Sequence, residues 1–204
     1  MQRNIACPCG RVFPVLAEDS IDLDRNGEYT GQISSGSFMH FICPICGKKH
    51  KPEFPLTLVW PSKGLRLEVL PELDRGAFYR RKKALLETET IIGYAELADR
   101  IAVISDGLEP AVVETLKYYL LLKAEESYPH REVTIWYQGK GPQFIEFHLH
   151  GIKAGEVALI RTPLDLYQET LDRYKKHPKS EIFTRLRVRS YLSVQNMRRI
   201  GERQ

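Results

Sequence analysis

Between Phe54 and Leu70 the chain carries two apolar-rich runs, separated by Pro61-Ser62-Lys63-Gly64. In the second run Leu65, Leu67 and Val69 face one way and Arg66 and Glu68 the other, the period of a half-buried strand. The pattern predicts an antiparallel hairpin of strands at 54–60 and 65–70, closed by the Pro-Ser-Lys-Gly turn. Arg11 to Leu16 reads as another short strand. Its Phe13 and Val15 share a face, and Pro14 suits an edge. Residues 18–36 are polar and rich in turn signals, among them Asp24-Arg25-Asn26-Gly27. Phe38 to Ile42 reads as extended chain.

Beyond residue 90 the period lengthens. Gly93 precedes a short helix predicted over Tyr94 to Ala102. A longer one runs from Glu109 to about Glu126, with Pro110 at its first position. On it Val113, Leu116, Leu120 and Lys123 fall on one face, with Val112, Tyr119 and Leu122 beside them. So wide an apolar surface predicts a core helix packed on a sheet. Glu132–Tyr137 and Gln143–His150 read as a second hairpin and Glu156–Ile160 as a third strand. Thr162 is placed to cap a helix that has Pro163 at its first position and ends near His177-Pro178. Thr184, Leu186 and Val188 alternate with Arg185, Arg187 and Arg189, which predicts a strand. Ser193 is placed to cap a final helix from Val194 to Ile200.

The four cysteines fall in two turns, Cys7-Pro8-Cys9-Gly10 and Cys43-Pro44-Ile45-Cys46-Gly47. Structural zinc takes a closed tetrahedron of thiolates, and a Cys-x-x-Cys turn supplies two of them. Cys7, Cys9, Cys43 and Cys46 are therefore the expected ligands of one structural Zn2+, with Lys48 and Lys49 offsetting the negative thiolates. Only one residue separates Cys7 from Cys9, so His40 and His50 stand as spare ligands. A Cys43–Cys46 dithiol switch is the competing reading. It fits less well, because Pro52 breaks any helix that would follow the pair. Closing the loop between the turns costs about 4 kcal/mol, against about 10–16 kcal/mol for structural zinc. The metal can therefore hold together a region too small for a large core.

The expected fold class is α+β. An N-terminal zinc ribbon of β-hairpins spans residues 1–75, and a charged connection spans 76–92. A mixed helix-and-antiparallel-sheet part then covers 93–204. The net charge of +4 conceals a division. Residues 173–204 carry ten Lys/Arg against two Glu, a balance of +8, which leaves −4 for the rest. The longest apolar run, Tyr118 to Leu122, is far below the roughly 20 residues of a membrane-spanning helix. With no signal-peptide core after Met1, the expected setting is cytoplasmic, where thiols stay reduced.

The two cysteine turns resemble those of the CpXC domain family of bacterial and archaeal proteins. Further resemblance lies in Val69-Leu70-Pro71-Glu72 with Arg75, and in Gly93-Tyr94-Ala95-Glu96-Leu97 through Glu109 and Val113-Glu114. It covers residues 4–125. The family takes its name from two Cys-Pro-x-Cys turns, so the resemblance implies zinc binding and adds little about activity. This chain departs from the name at Cys7-Pro8-Cys9, where the x residue is absent.

Two other groups are candidate sites. Glu146, His148 and His150 alternate on one strand face and form a candidate second, catalytic metal site, against the plainer reading of a solvated outer face. Arg185, Arg187 and Arg189 with Tyr191 form a candidate stripe for phosphates and a stacked base, or for an acidic partner. Arg198 and Arg199 add charge nearby. No serine or cysteine nucleophile pattern is visible, so a binding role outranks an enzymatic one. The expected partner is another protein. Nucleic acid is the runner-up, and a thiol redox or metal-dependent enzyme comes third. Partner identity and oligomeric state are not encoded in any motif.

Overall fold

The structure is a computed structural model in which residues 1–80 and 88–197 are described. The fold is α+β and divides into two compact units, Met1–Ala98 and Asp99–Gln204.

In the first unit β1 (Gln2–Ala6) and β2 (Val12–Leu16) form an antiparallel hairpin, paired from Gln2↔Leu16 to Ala6↔Val12. The polar stretch that follows holds β3 (Ser20–Asp22) and α1 (Glu28–Ser34) as well as turns. The reason is visible in Ile21, Leu23 and Ile33, three isolated apolar residues that are all buried. A second short hairpin, β4 (Phe41–Ile42) with β5 (Lys49–His50), carries the second cysteine turn.

The expected hairpin over 54–70 is present as β6 (Leu56–Trp60) and β7 (Leu65–Leu70), paired from Leu56↔Val69 to Trp60↔Leu65. A 3-10 turn, Pro61–Lys63, joins the strands. Asp24 fastens that turn, accepting from the Ser62 amide at 2.7 Å and the Ser62 hydroxyl at 2.6 Å. These bonds hold the Asp24 carboxyl below the usual range, the Ser62 hydroxyl most of all. The hairpin does not continue the cysteine-bearing strands. It forms a sheet with β3, parallel to β6, and with β8 (Glu89–Ile92), parallel to β7. Leu58, Leu67, Val69, Ile91 and Ile92 are among its buried residues. Of the expected charged connection, α2 (Arg75–Arg80) precedes β8. Arg81, Lys82 and Lys83 lie outside the described residues.

Helix α3 (Tyr94–Ser105) begins after Gly93 and runs past the division between the units. Gly93 sits at φ +84°, a left-handed conformation that residues with side chains rarely adopt, and this is why glycine stands there. Glu53 ties this region to the cysteine hairpins. Its carboxylate accepts from the Tyr94 amide at 2.7 Å, at the start of α3, and from the Glu72 amide at 2.6 Å, at the start of a second 3-10 turn. One anion thus satisfies two helix-end donors, where negative charge is favoured. The Tyr94 hydroxyl accepts from the Phe54 amide at 2.9 Å and donates to the Phe54 carbonyl at 3.0 Å. Burial pushes the Tyr94 phenol up to about 12. Glu53→Ala is expected to cost about 1–3 kcal/mol from these two bonds. A urea midpoint that barely moves would show that water replaces the carboxylate.

The second unit is built on α4 (Pro110–Ser127), with Pro110 at its first position as expected and Glu109 Oε1 accepting from the Ala111 amide. It packs on a three-stranded antiparallel sheet in the order β11-β10-β9: β9 is Thr134–Lys140, β10 Phe144–His150 and β11 Val157–Pro163. Val112, Val113, Leu116 and Leu121 share a core with Ile135, Tyr137, Ile145, Phe147 and Leu149. Thr162 lies within β11 and does not cap the next helix. Pro163 is the cap residue of α5 (Leu164–Lys176).

The strand expected across 184–188 is replaced by α6 (Glu181–Arg185) and then the small hairpin β12 (Arg187–Val188) with β13 (Tyr191–Leu192). Phe183, Leu186 and Leu192 are buried here, and local alternation gave way to that packing. Ser193 does cap the next turn, its hydroxyl accepting from the Gln195 amide at 3.2 Å, and residues 195–197 are helical.

The α4 core also contains charge. Lys117, 3% exposed, donates to Asp99 and, at 2.8 Å, to Glu114. The remaining carboxylate oxygens accept the Tyr137 amide at 2.6 Å (Asp99) and the Val194 amide at 2.7 Å (Glu114). Arg100 donates to the Leu192 carbonyl at 2.9 Å. The segment from Leu192 to Val194 is therefore held by buried ions as well as by apolar packing.

Candidate metal centre

Each cysteine turn is closed by its own backbone. In the first, Cys7 N donates to Arg11 O at 2.8 Å and Gly10 N to Cys7 O at 2.9 Å. In the second, Cys43 N donates to Lys48 O at 2.9 Å and Gly47 N to Cys43 O at 3.0 Å. Gly47, at φ +70°, takes the left-handed conformation that lets the chain leave the turn. Beneath the turns Ile5, Phe13 and Val15 pack with the buried Cys7 and Cys43, and Phe41 and Phe54 close the cluster. Phe13 meets the His50 ring edge-on at 5.8 Å.

The two turns bring their thiols together. Cys7 Sγ lies 3.5 Å from Cys46 Sγ, and Cys9 Sγ lies 3.8 Å from Cys43 Sγ. All four sulfurs fall within 4.8 Å of one another, an arrangement that can hold a metal ion. The separations are far longer than a disulfide bond, and all four cysteines are free. The one-residue spacing in the first turn does not keep Cys9 away. Neither His40 nor His50 joins the group. Among the described residues no other set of three or more His, Cys, Asp or Glu comes close enough to share an ion.

The thiols are not equivalent. The Cys46 amide, followed by that of Ile45, hydrogen-bonds to Cys43 and brings its thiol down to about 6. Cys7 has the Cys9 amide pulling its thiol down, but burial and the neighbouring thiols outweigh it and push Cys7 up to about 12. Burial, then Lys51 and Lys49, hold the His40 imidazole below its ordinary value, so the surroundings of the second turn are positive.

The family model of the CpXC protein matches residues 5–117, more than half of the chain. The chain belongs to the CpXC family. A protein of Treponema pallidum (strain Nichols), described only as uncharacterized, is 31% identical over 218 residues, covering 95% of this chain and 97% of that one. No solved structure matches. In this CpXC chain the resembling residues outside the turns have a physical role. Arg75 binds Glu72, Glu96 at 2.7 Å and the Ile92 carbonyl at 3.1 Å, beside Gly93 and the Tyr94 amide that Glu53 accepts. They lock the start of α3 to the segment that follows the second turn.

The other candidates are differently placed. Glu146, His148 and His150 do share the outer face of β10, but alternate strand residues stand about 7 Å apart. Glu146 pairs with Arg161 at 3.1 Å, and His148 lies opposite Trp136 and Leu159. The structure does not gather the three into a metal cluster. The arginine stripe is not formed. Arg185 ends α6 and bonds Glu181 at 3.3 Å, Arg187 is in β12, and Arg189 occupies the following turn at φ +57°. Tyr191 is 0% exposed, so its ring is not offered to a base. Arg198 and Arg199 lie outside the described residues.

Sequence reading missed the Asp99–Lys117–Glu114 group. Its signal was present in Glu114 and Lys117, spaced i,i+3 within the apolar stretch of α4. No helix among the described residues is long and apolar enough to cross a membrane.

Proposed function

We propose that the metal is zinc, that it is structural, and that the protein is a zinc-stabilised module for binding another protein. The sulfur geometry carries the first part. Four ligands at the Zn–S distance of about 2.3 Å define a tetrahedron with edges of about 3.8 Å, and the cross-turn contacts are 3.5 and 3.8 Å. Four thiolates fill the shell and leave no position for water or substrate, which is the pattern of structural rather than catalytic zinc. A reducing compartment such as the bacterial cytoplasm suits four thiols that must stay free.

Support for a protein partner comes from the surface of the cysteine hairpins. Val12, Leu16, Ile42 and Ile45 are exposed there, while the four-thiol site is saturated by its metal. Exposed aliphatic groups on a rigid support are what a protein partner buries.

Elemental analysis of the purified full chain, with a free-thiol count, tests the metal. One zinc per chain and four thiols that react only after denaturation are expected. Iron in its place, two metals per chain, or an apo protein with a Cys43–Cys46 disulfide would overturn the assignment.

A further inference from the structure

The second cysteine turn exposes more than a metal site requires. Ile42 is 61% exposed and Ile45 69%. Ile42 lies opposite Lys49 in the β4–β5 register, so both point away from the Phe13 cluster. Ile45 stands at the tip of the turn, between Cys43 and Cys46. Lys49, opposite Ile42, Lys48 beside it and Lys51 just after the strand are exposed as well. Residues 1–17 and 40–52 contain no carboxylate. Zinc with four thiolates is doubly negative, and two lysines offset that. With three exposed lysines against two negative charges the surface of the turn stays positive, and neither isoleucine has a role in the site.

We propose that this knuckle, Ile42 and Ile45 rimmed by Lys48, Lys49 and Lys51, docks an acidic amphipathic segment of another protein. The proposal rests on the reading of the protein as a protein-binding module and names its partner class. Charge and shape choose the occupant. Aliphatic tips match apolar side chains, and the lysine rim matches carboxylates spaced between them. Single-stranded nucleic acid is the poorer fit. Bases are held by aromatic faces or guanidinium planes, and the exposed side of this turn offers only aliphatic groups and ammonium ions. The metal contributes rigidity. Ile45 is fixed between two ligands in a turn closed by Cys43 N–Lys48 O and Gly47 N–Cys43 O. Such a tip loses little freedom on binding.

The test pans a phage-displayed library of random 12-residue peptides on the zinc-loaded full chain, with Ile45→Asp as the counter-target. The enriched peptides are expected to combine Asp or Glu with Leu, Ile, Val or Phe. As synthetic peptides in fluorescence anisotropy they should bind at least about 30-fold more weakly to Ile45→Asp. The double variant Lys48→Glu/Lys49→Glu should weaken them about 10-fold, and affinity should fall with added salt and vanish on chelation. Ile45→Ser, checked for one zinc and an unchanged melting temperature, provides the same comparison should the aspartate disturb the metal. Basic or uncharged enriched peptides overturn the partner class. Peptides that bind Ile45→Asp or Ile45→Ser as well as wild type remove the knuckle and leave the protein-binding reading standing. A library with no enriched binder overturns both. A 20-nucleotide single strand that binds more tightly than the peptides, and loses affinity in the lysine double variant, assigns the surface to nucleic acid instead.

Discussion

Cys43→Ser is expected to release the metal and unfold the cysteine hairpins. Cys43 is buried among Ile5, Phe13 and Val15, and its sulfur receives two backbone amides. Structural zinc contributes about 10–16 kcal/mol to small domains, which is as large as the whole stability of a typical one, about 5–15 kcal/mol. The apolar cluster beneath the turns is small and has no comparable reserve. Hydrogen exchange should therefore show β1, β2, β4 and β5 losing protection, while β6 and β7 keep most of theirs. Cys9→Ser should be milder, because Cys9 is exposed and lies at the edge of the cluster. The pH dependence has a definite sign. The Cys43 thiol is lowered to about 6 from an ordinary 9.0. A thiol lowered in this way gives up its proton to a metal at lower pH than an ordinary cysteine does. Protons compete with the metal, so zinc release should steepen on the acid side. A Cys43→Ser protein that keeps one zinc and an unshifted melting curve would remove the structural role assigned to the site.

Lys117→Met should have the second largest effect, in the other unit. It removes the cation between two buried carboxylates, at a cost of about 3–5 kcal/mol. Burial and Glu114 already push the Asp99 carboxyl up, and without Lys117 it takes up a proton. At about 2–4 °C per kcal/mol the melting temperature should fall by roughly 6–20 °C. Val194 should lose amide protection at the same time, since its N–H depends on Glu114. Adding Glu114→Gln to Lys117→Met should recover part of the loss. The amide removes a charge yet can still accept from Val194. Burial pushes the Lys117 ammonium down, but Asp99 and Glu114 outweigh it and hold it above its ordinary value. The ionised lysine therefore contributes in full below about pH 10.5, the ordinary value. That contribution declines only as pH rises through the higher folded value. A Lys117→Met melting curve within about 2 °C of wild type would show that the carboxylates find other compensation.

Some of this protein follows from local sequence alone. The β6–β7 hairpin and α4 were legible because a strand's period of two and a helix's period of 3.6 each write one buried face into neighbouring residues. Leu65–Leu70 carries such a face within a single segment. In α4 the existence and start of the helix were legible but not its buried side: residues 111–117 are buried all round, while Tyr119, Leu122 and Lys123, expected at the core face, are exposed. The α5 and α6 region was less legible. Thr184 to Val188 alternates like a strand, but Phe183, Leu186 and Tyr191 are consumed by a core that draws on distant segments, and burial prevailed over alternation.

The sequence itself named the candidate ligands, because the chain holds four cysteines in two turns, but it left His40 and His50 open as replacements for Cys9. Whether Cys9 could reach the site across its shortened turn was decided by the tertiary structure, which stacks two hairpins so that Cys9 faces Cys43. Tertiary structure also placed the β6–β7 hairpin in a sheet separate from the cysteine strands, buried Tyr191 and enclosed Lys117 between two carboxylates. A residue's neighbours in sequence set its backbone preferences. Which strand lies beside it, and which charge meets it in the dark of the core, depends on segments tens of residues away, and no local pattern records them.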